Sequence, residues 1–593
     1  MMVSIVINSS PVFTHWWAQI KHDLRPFPGR WEQTWRIALL CALMTLVSMT
    51  FHIPAAVLSC YVIFFVMKSD SAESMVLAIA LVVLVSIVVF ILIGLVNLSI
   101  SSPPARLAIM AFTSVILLYL GNASLLGPLG GIIALVIAFV MTLLAHVPFG
   151  EVATRAVLYA WLMTCAPMAL VISFNLIAGR QPQAVLVNEV AGRLELAAQS
   201  LQQHASAQQV RAMVAEGIES QQKRLKWLKL FHFVPKKRQQ DLAVAVIQSY
   251  QILLASLALT TQTTVPTERQ LQQQQQLATA CLLAARQLRQ SKSLPTSYFK
   301  WQVPDFSLTP YQDIAQALNT LSSEQNNAGF TIPEEKATFF VADAFVNSAY
   351  LRTAVKATGA AILCYLIYSS IEWEGIHTAM ITCYVATLGS SGETINKLVL
   401  RIIGALIGAT LGVILLVFFM PHMTSIGTLM AAVFVVSILA AWVGIGSERV
   451  AYAGIQIAFA FFLITLQGFG PSVDLSVAGD RIVGILLGNL MMYLAFTQIW
   501  PYSVIHSVKK HMTHLQQILE DWATTENKDT LQRVVYAGQA AQVLEEAEYE
   551  LSLAYLEPKR LHLGHTSLSD YQQQLDQLTQ RFNSLVLGSS VPS

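Results

Sequence analysis

Charge is what this chain has least of. Lys, Arg, Asp and Glu make up 12% of its 593 residues, about half the ~25% of an ordinary soluble domain. A solvated globular fold is therefore excluded for the chain as a whole. Cysteine is sparse as well, six in all and none at CxxC or metal-ligand spacing. Cys41, Cys60, Cys165, Cys364 and Cys383 lie in apolar runs and Cys281 in a polar helical stretch, so they read as small apolar fillers. There is no GxxxxGK[ST] loop to cradle a nucleotide, which removes ATP as the expected energy source. Serines and histidines stand without triad-like neighbours, so the chain does not read as an enzyme, and no catalytic residue, cofactor or metal is assigned. Strand-like alternation is missing over any length, as are features that would read or track nucleic acid. No cleavable signal is expected ahead of the first apolar run.

Apolar sequence fills the space that charge leaves: 55% of residues are hydrophobic and the mean hydropathy is +0.56. Runs approaching the ~20 residues a span needs fall in two blocks of six. The first lie near 36–52, 54–67, 74–97, 106–121, 129–147 and 154–177; the second near 353–371, 375–389, 395–420, 426–445, 451–467 and 481–499. Pro54, Pro128 and Pro148 mark run ends, and Pro167 is expected to kink the sixth. The expected fold class is all-α and polytopic in a membrane, with six plus six transmembrane helices in two parallel repeats. The segments are 1–35, an interfacial stretch with Trp16, Trp17 and Trp31 among basic residues; 36–178, the first half; 179–350, a helical insert; 351–500, the second half; and 501–593, a helical tail. In the insert, the basic cluster Lys223, Arg224, Lys226, Lys229, Lys236, Lys237 and Arg238 reads first as a solvated helix end. Its second reading is a contact for anionic headgroups or an acidic partner. The distribution of Lys and Arg places both termini and both polar parts in the cytoplasm.

The two blocks are related. Glu73, in the turn over 68–74, matches Glu393, in the turn over 389–394, at an offset of 320 positions. The same offset carries Arg36 onto Lys356 and the Phe51–Pro54 turn onto Ile371–Glu374. Ahead of the last run of each block, Arg155 meets Arg481. Six runs per half, starting on the same side, define a parallel duplication with a pathway expected along the interface. The halves are unequal: Leu77 and Leu81 stand where the second half has Lys397 and Arg401, and Thr154 stands where it has Asp480.

The scarce charges supply the candidates. Glu393, Lys397 and Arg401 are four apart and climb one helix face, with Gly404, Gly408 and Gly412 on nearly the same stripe. Small residues so spaced let helices approach closely, so this face is expected against protein rather than lipid, where ionisable groups lie on pathways or are paired. The plainer alternative is an N-terminal glutamate, an ordinary Glu–Lys pair and a packing stripe. Glu393 is the first candidate for a proton-linked carboxylate, because burial and a neighbouring lysine act on its charge in opposite directions. Glu73, its mate in the first half, joins it as a coupling or gating candidate. Asp480 and Arg481, with Gly484 and Gly488 on Arg481's face, read as an interfacial anchor or a gate, as does the i,i+4 pair Glu151 and Arg155. Trp373 and His377, beside Glu374 at an outward turn, read as interfacial side chains or as substrate contacts and a proton relay.

Three stretches carry a resemblance: LVSMTFHIPAAVLS at 46–59, EVATR at 151–155 and GETINKLVLRIIGALIGA at 392–409. They resemble the fusaric acid resistance family, also called aromatic acid exporters, and the order of apolar and polar blocks matches over nearly the whole chain. The resemblance implies export of aromatic carboxylates or assorted antimicrobials, driven by the proton gradient across a Gram-negative inner membrane. It also implies a periplasmic adaptor (membrane fusion protein) and an outer-membrane channel as partners beside the lipid bilayer. The long amphipathic helices suggest a homodimer. A passive organic-anion channel is the alternative, because plant malate channels share a similar six-span unit; a membrane-anchored scaffold is a third reading.

Overall fold

A computed structural model describes residues 24–586 apart from 28, 54–55, 100–101, 144–149, 232–233, 262–265, 291–301, 303–305, 307, 323–337, 342, 386–390, 467–475, 525–529, 559–560 and 562–566. Trp16, Trp17, Lys21, Pro54, Pro148 and the first part of the Gly389–Gly392 break lie outside the described residues. Helices make up the fold: α1 (Arg30–Thr50), α2 (Ala56–Val66), α3 (Ser71–Ser99), α4 (Pro103–Ala123), α5 (Pro128–Leu143), α6 (Gly150–Ala178), α7 (Pro182–Leu201), α8 (Ala207–Ala215), α9 (Glu219–Leu230), α10 (Lys236–Thr261), α11 (Glu268–Arg289), α12 (Thr309–Ser322), α13 (Ser348–Ser370), α14 (Thr378–Val385), α15 (Ser391–Ile414), α16 (Ile426–Gly444), α17 (Glu448–Thr465), α18 (Ser476–Gln498), α19 (Ile505–Thr524), α20 (Thr530–Ala554) and α21 (Leu568–Val586). Among the described residues the extended pairing amounts to one isolated bridge, Ser124 with Phe340. The chain divides into two compact units: residues 1–179 with 337–502, and residues 180–336 with 503–593.

The first unit holds α1–α6 and α13–α18. Among the described residues, seven of its helices are long and apolar enough to cross a bilayer, and α2, α5 and α17 are shorter apolar helices. Its chain halves exchange partners. α1 packs on α16 and α13 on α4; α2 packs on α17 and α14 on α5. One buried core accordingly joins Met110, Leu118 and Ile137 to Ala357, Cys364 and Tyr384, and another joins Leu40, Met44 and Ile63 to Val433, Ala440 and Phe461. Details recur at or near the offset seen in sequence. The residue closing the turn after α1, His52, has φ 51°, and Glu372 after α13 has φ 54°. Trp442 Nε1 donates to the Leu24 carbonyl at 3.2 Å, and Tyr119 Oη donates to the Ala344 carbonyl at 3.1 Å. Cys41 faces Cys60 between α1 and α2, while Cys364 and Cys383 approach to 3.7 Å between α13 and α14.

Pro167 does not break its helix; α6 runs on through it. A proline leaves the carbonyl four residues earlier without its amide partner, which in a bilayer must be satisfied from elsewhere. Here that carbonyl belongs to Met163, and it accepts from the buried Ser59 hydroxyl of α2 at 2.6 Å. Ser59→Ala should therefore cost about 1–3 kcal/mol by orphaning a buried acceptor. Adding Pro167→Ala, which restores the amide, should recover most of the lost melting temperature; no recovery would assign the loss to Ser59 packing instead.

The second unit buries one core built by α7–α12 together with α19–α21, so the insert and the tail, read as separate segments in sequence, fold as one body. α10 has the length and hydropathy of a membrane span, yet 78% of it is buried, with Val246, Ile247, Tyr250, Leu253 and Leu257 among the core residues. Its apolar surface is already used. Between α19 and α20, His511 Nδ1 lies 2.8 Å from Glu550 Oε2, and Ser507 Oγ donates to Glu550 Oε1 at 2.6 Å. The hydrogen bond to Glu550 raises the His511 pKa above 6.5; burial and Lys510 oppose it, and the charges of Glu550 and Glu546 reinforce it. A raised folded pKa means stability that is complete below about 6.5 and lost as pH climbs through the folded value. Hydrogen-exchange protection of α19 and α20, corrected for intrinsic rates, should thus fall as pH rises above about 6.5. His511→Gln should flatten that fall; an unchanged slope in the variant would place its cause at another group.

Candidate functional site

α15 is amphipathic in an unusual sense, because its polar and small face is the one that is covered. Gly404, Gly408 and Gly412 lie against α17: a Cβ on Gly404 would stand 2.6 Å from the Ala453 carbonyl, one on Gly408 would meet the Ile457 carbonyl, and one on Gly412 would press on Ile464. α15 and α17 are consequently in intimate contact. Their counterparts in the first half, α3 and α5, are not; at the positions matching the three glycines α3 carries the bulkier Leu84, Val88 and Leu92, of which Val88 and Leu92 are buried.

This approach sinks Arg401 completely. Its side chain is 1% exposed, and Nη1 donates to Tyr452 Oη and to Gln456 Oε1, each at 3.1 Å. Among the described residues, its Nε and Nη2 are buried with no hydrogen-bond partner, and so is Gln456 Nε2. Within the same residues, no carboxylate pairs with this guanidinium. One turn away, Lys397 Nζ sits 5.4 Å from the Tyr452 ring centroid, a cation–π distance, and Glu393 is within electrostatic reach of it. Tyr61, on α2 of the first half, lies within electrostatic reach of Arg401, Tyr452 and Gln456, with its ring 4.6 Å from that of Phe459. The site therefore draws on both halves of the unit. Leaving a buried cation without a counter-charge is costly, on the order of several kcal/mol, so an arrangement that does so is poised to receive an anion.

A second cluster forms where α18 meets the turn before α14. Gly484 and Gly488 again allow the approach, with a Cβ at Gly488 falling 2.5 Å from the Ala379 carbonyl. Arg481 Nη1 bonds His377 Nε2 at 2.6 Å and Thr378 Oγ1 at 2.8 Å. Asp480 Oδ1 accepts from Trp373 Nε1 at 3.0 Å. In sequence, Asp480 with Arg481 and Trp373 with His377 are two candidates; the structure makes them one. A relay through His377 would first have to break its bond to Arg481. Glu374 occupies the short 3₁₀ turn 374–376 beside them.

The remaining candidates are more ordinary. Glu151 and Arg155 pair at 2.6 Å, but their side chains are 75% and 69% exposed, which gives little coupling to anything internal. Glu73 is in the first turn of α3, where the Asp70 side chain accepts from its backbone amide at 2.8 Å and caps the helix. Sequence reasoning misses Tyr452, Gln456 and Tyr61 altogether. It notes Lys356 only as the mate of Arg36, whereas Lys356 is 4% exposed, donates to the Trp500 carbonyl at 3.3 Å and lies 4.4 Å over the Phe496 ring. The signal available was its place on the face that buries Thr353, Ala357 and Ala360. Small residues of that kind mark a packed face only weakly.

Buried charge carried on long apolar helices defines the class, a polytopic α-helical membrane protein. Residues 363–495, which contain the second cluster and all of the first but Tyr61, match the family described as fusaric acid resistance protein-like. The chain is 28% identical over 488 residues to the multidrug resistance protein MdtO of Escherichia coli O6:H1, spanning 80% of this chain and 70% of that one. The MdtO of Escherichia coli K12 is 28% identical over 491 residues with the same coverage, and that of Shigella flexneri 38% identical over 193 residues, 32% of this chain and 28% of its own. No solved structure matches. Residues 363–495 are thus similar to the fusaric acid resistance protein-like family, and the chain is similar to MdtO over most of its length.

Proposed function

We propose that this chain is a secondary-active exporter of organic anions, aromatic carboxylates foremost, in a Gram-negative inner membrane. The observation that carries the reading is Arg401: a fully buried guanidinium with two unused donors, close to Tyr452, Tyr61 and Phe459, at a place where both halves meet. A planar fork of this kind favours a carboxylate, and the rings favour an aromatic body. In this reading α1–α6 and α13–α18 are two parallel six-span repeats, and the reciprocal packing of α1 with α16 and α13 with α4 supports it. The second unit is the cytoplasmic insert plus tail. Glu393 and Lys397 carry the proton coupling, and the Asp480–Arg481–His377–Trp373 cluster gates the outward side. The multidrug resistance relatives are consistent with antimicrobials among the substrates and with assembly onto a periplasmic adaptor and an outer-membrane channel; the chain itself is proposed to act as a homodimer.

Cells expressing the chain, loaded with aromatic acids or cationic dyes, test this. Export of the acids that stops on adding an uncoupler is expected. Acid efflux that ignores the uncoupler and follows the anion's electrochemical gradient would replace the exporter with a passive organic-anion channel. Glu393→Gln should abolish the uncoupler-sensitive part at normal membrane expression, and full export in that variant would remove Glu393 from the mechanism.

A further inference from the structure

We propose that Gln456 sets the charge preference of the Arg401 site, by placing a neutral amide where a carboxylate would fit. Gln456 has this role only if Arg401 is where the exported anion binds, so it rests on the exporter reading. α17 lays Tyr452 and Gln456, one turn apart, along the face that meets Lys397 and Arg401 of α15. Beyond its first residue, Glu448, α17 contains no acidic side chain, so both cations face a helix with no carboxylate to offer. Lys397 has Glu393 of its own helix within electrostatic reach. Among the described residues Arg401 has only the neutral side chains of Tyr452 and Gln456 as hydrogen-bond partners.

Packing holds Gln456 in place. Its side chain is buried, and a Cβ built on Gly404 would stand 2.7 Å from the Gln456 Cβ, so a larger residue at 404 would push the amide off the guanidinium. Gln456 Oε1 accepts from Arg401 Nη1 at 3.1 Å, while Gln456 Nε2 and the Nε and Nη2 of Arg401 are buried without acceptors. Glutamate has the shape of glutamine with an oxygen in place of Nε2. At this position it would pair with the guanidinium, whose charge favours the ionised carboxylate. A buried cation left alone costs more than one in a pair, so folding by itself favours an acid at 456. The amide instead leaves the charge uncompensated and adds a third donor. A carboxylate brought by the substrate can accept from all three, because its two oxygens carry about four lone-pair sites. An amide at 456 thus suits a site whose counter-ion arrives and leaves.

The test uses the purified full chain in lipid nanodiscs, with cinnamate as the probe and its binding followed by calorimetry beside the melting temperature. Gln456→Glu should weaken cinnamate binding about tenfold or more and raise the melting temperature. Gln456→Met, neutral and of similar length, should weaken binding only a few-fold and lower the melting temperature. An amide with a purely structural role predicts the opposite order for binding, with Met the more damaging, because it drops the bond to Arg401 that Glu keeps. Gln456→Glu protein that binds cinnamate as tightly as the original, or that melts lower, overturns the proposal, as does an equal loss of binding in both variants. The exporter reading fails by different signs: no cinnamate binding by the original protein, or undiminished binding by Arg401→Gln. Either of those results removes the role of Gln456 with it.

Discussion

Arg401→Gln should abolish export of aromatic carboxylates while leaving the protein in the membrane and no less stable than before. The reasoning separates binding from folding. The guanidinium is buried without a counter-charge and with two donors unused, so its removal relieves a desolvation penalty on the order of several kcal/mol. What it gives up are bonds to Tyr452 and Gln456 at 3.1 Å, each worth about 0.5–1.5 kcal/mol net. Glutamine keeps a polar group within the site and loses the positive charge. A structural arginine predicts the reverse pattern, a drop in melting temperature and in membrane abundance with transport lost only in proportion. Measuring detergent-solubilised melting temperature alongside efflux distinguishes the two, and a variant that exports at the original rate would dismiss Arg401 as an anion site.

Gly408→Leu should remove folded protein rather than tune its activity. A Cβ at Gly408 meets the Ile457 carbonyl and lies 2.9 Å from the Ala460 methyl; a backbone oxygen cannot rotate aside as a long side chain would. Overpacking costs about 1–3 kcal/mol in tolerant sites, and more where backbone must move. Separation of α15 from α17 would also dismantle the Arg401 site. Gly94→Leu is the control, since nothing lies within 4 Å of a Cβ there and the position is exposed on α3. The expected pair of results is loss of monodisperse protein for Gly408→Leu and no change for Gly94→Leu. Equal tolerance at both would mean that the glycine stripe is not a packing surface.

Particular elements show what is legible in sequence. The face shared by Glu393, Lys397, Arg401 and the three glycines is visible because a helix repeats every ~3.6 residues, and regular spacing converts directly into a shared face. Its direction, toward protein, follows from the cost of charge in lipid, and Arg401 at 1% exposure agrees. Tyr452 and Gln456 are not visible. They are four apart on α17 and share a face, but that spacing does not name the neighbour they find. The joining of Asp480 and Arg481 to Trp373 and His377 is hidden for the same reason, since about a hundred residues separate partners that touch. Pro167 shows only its own helix in sequence; that the carbonyl it frees is met by Ser59 on another helix is not visible there. The single core shared by insert and tail cannot be read from either segment, as each shows only an amphipathic face and not what covers it.

The most direct measurement is transport by purified chain in proteoliposomes under an imposed pH gradient, comparing an aromatic carboxylate with a lipophilic cation of similar size, for the original protein and for Arg401→Gln. Gradient-dependent movement of the carboxylate, absent for Arg401→Gln, is the predicted result. Cation movement alone, or carboxylate movement that survives Arg401→Gln undiminished, would contradict the account.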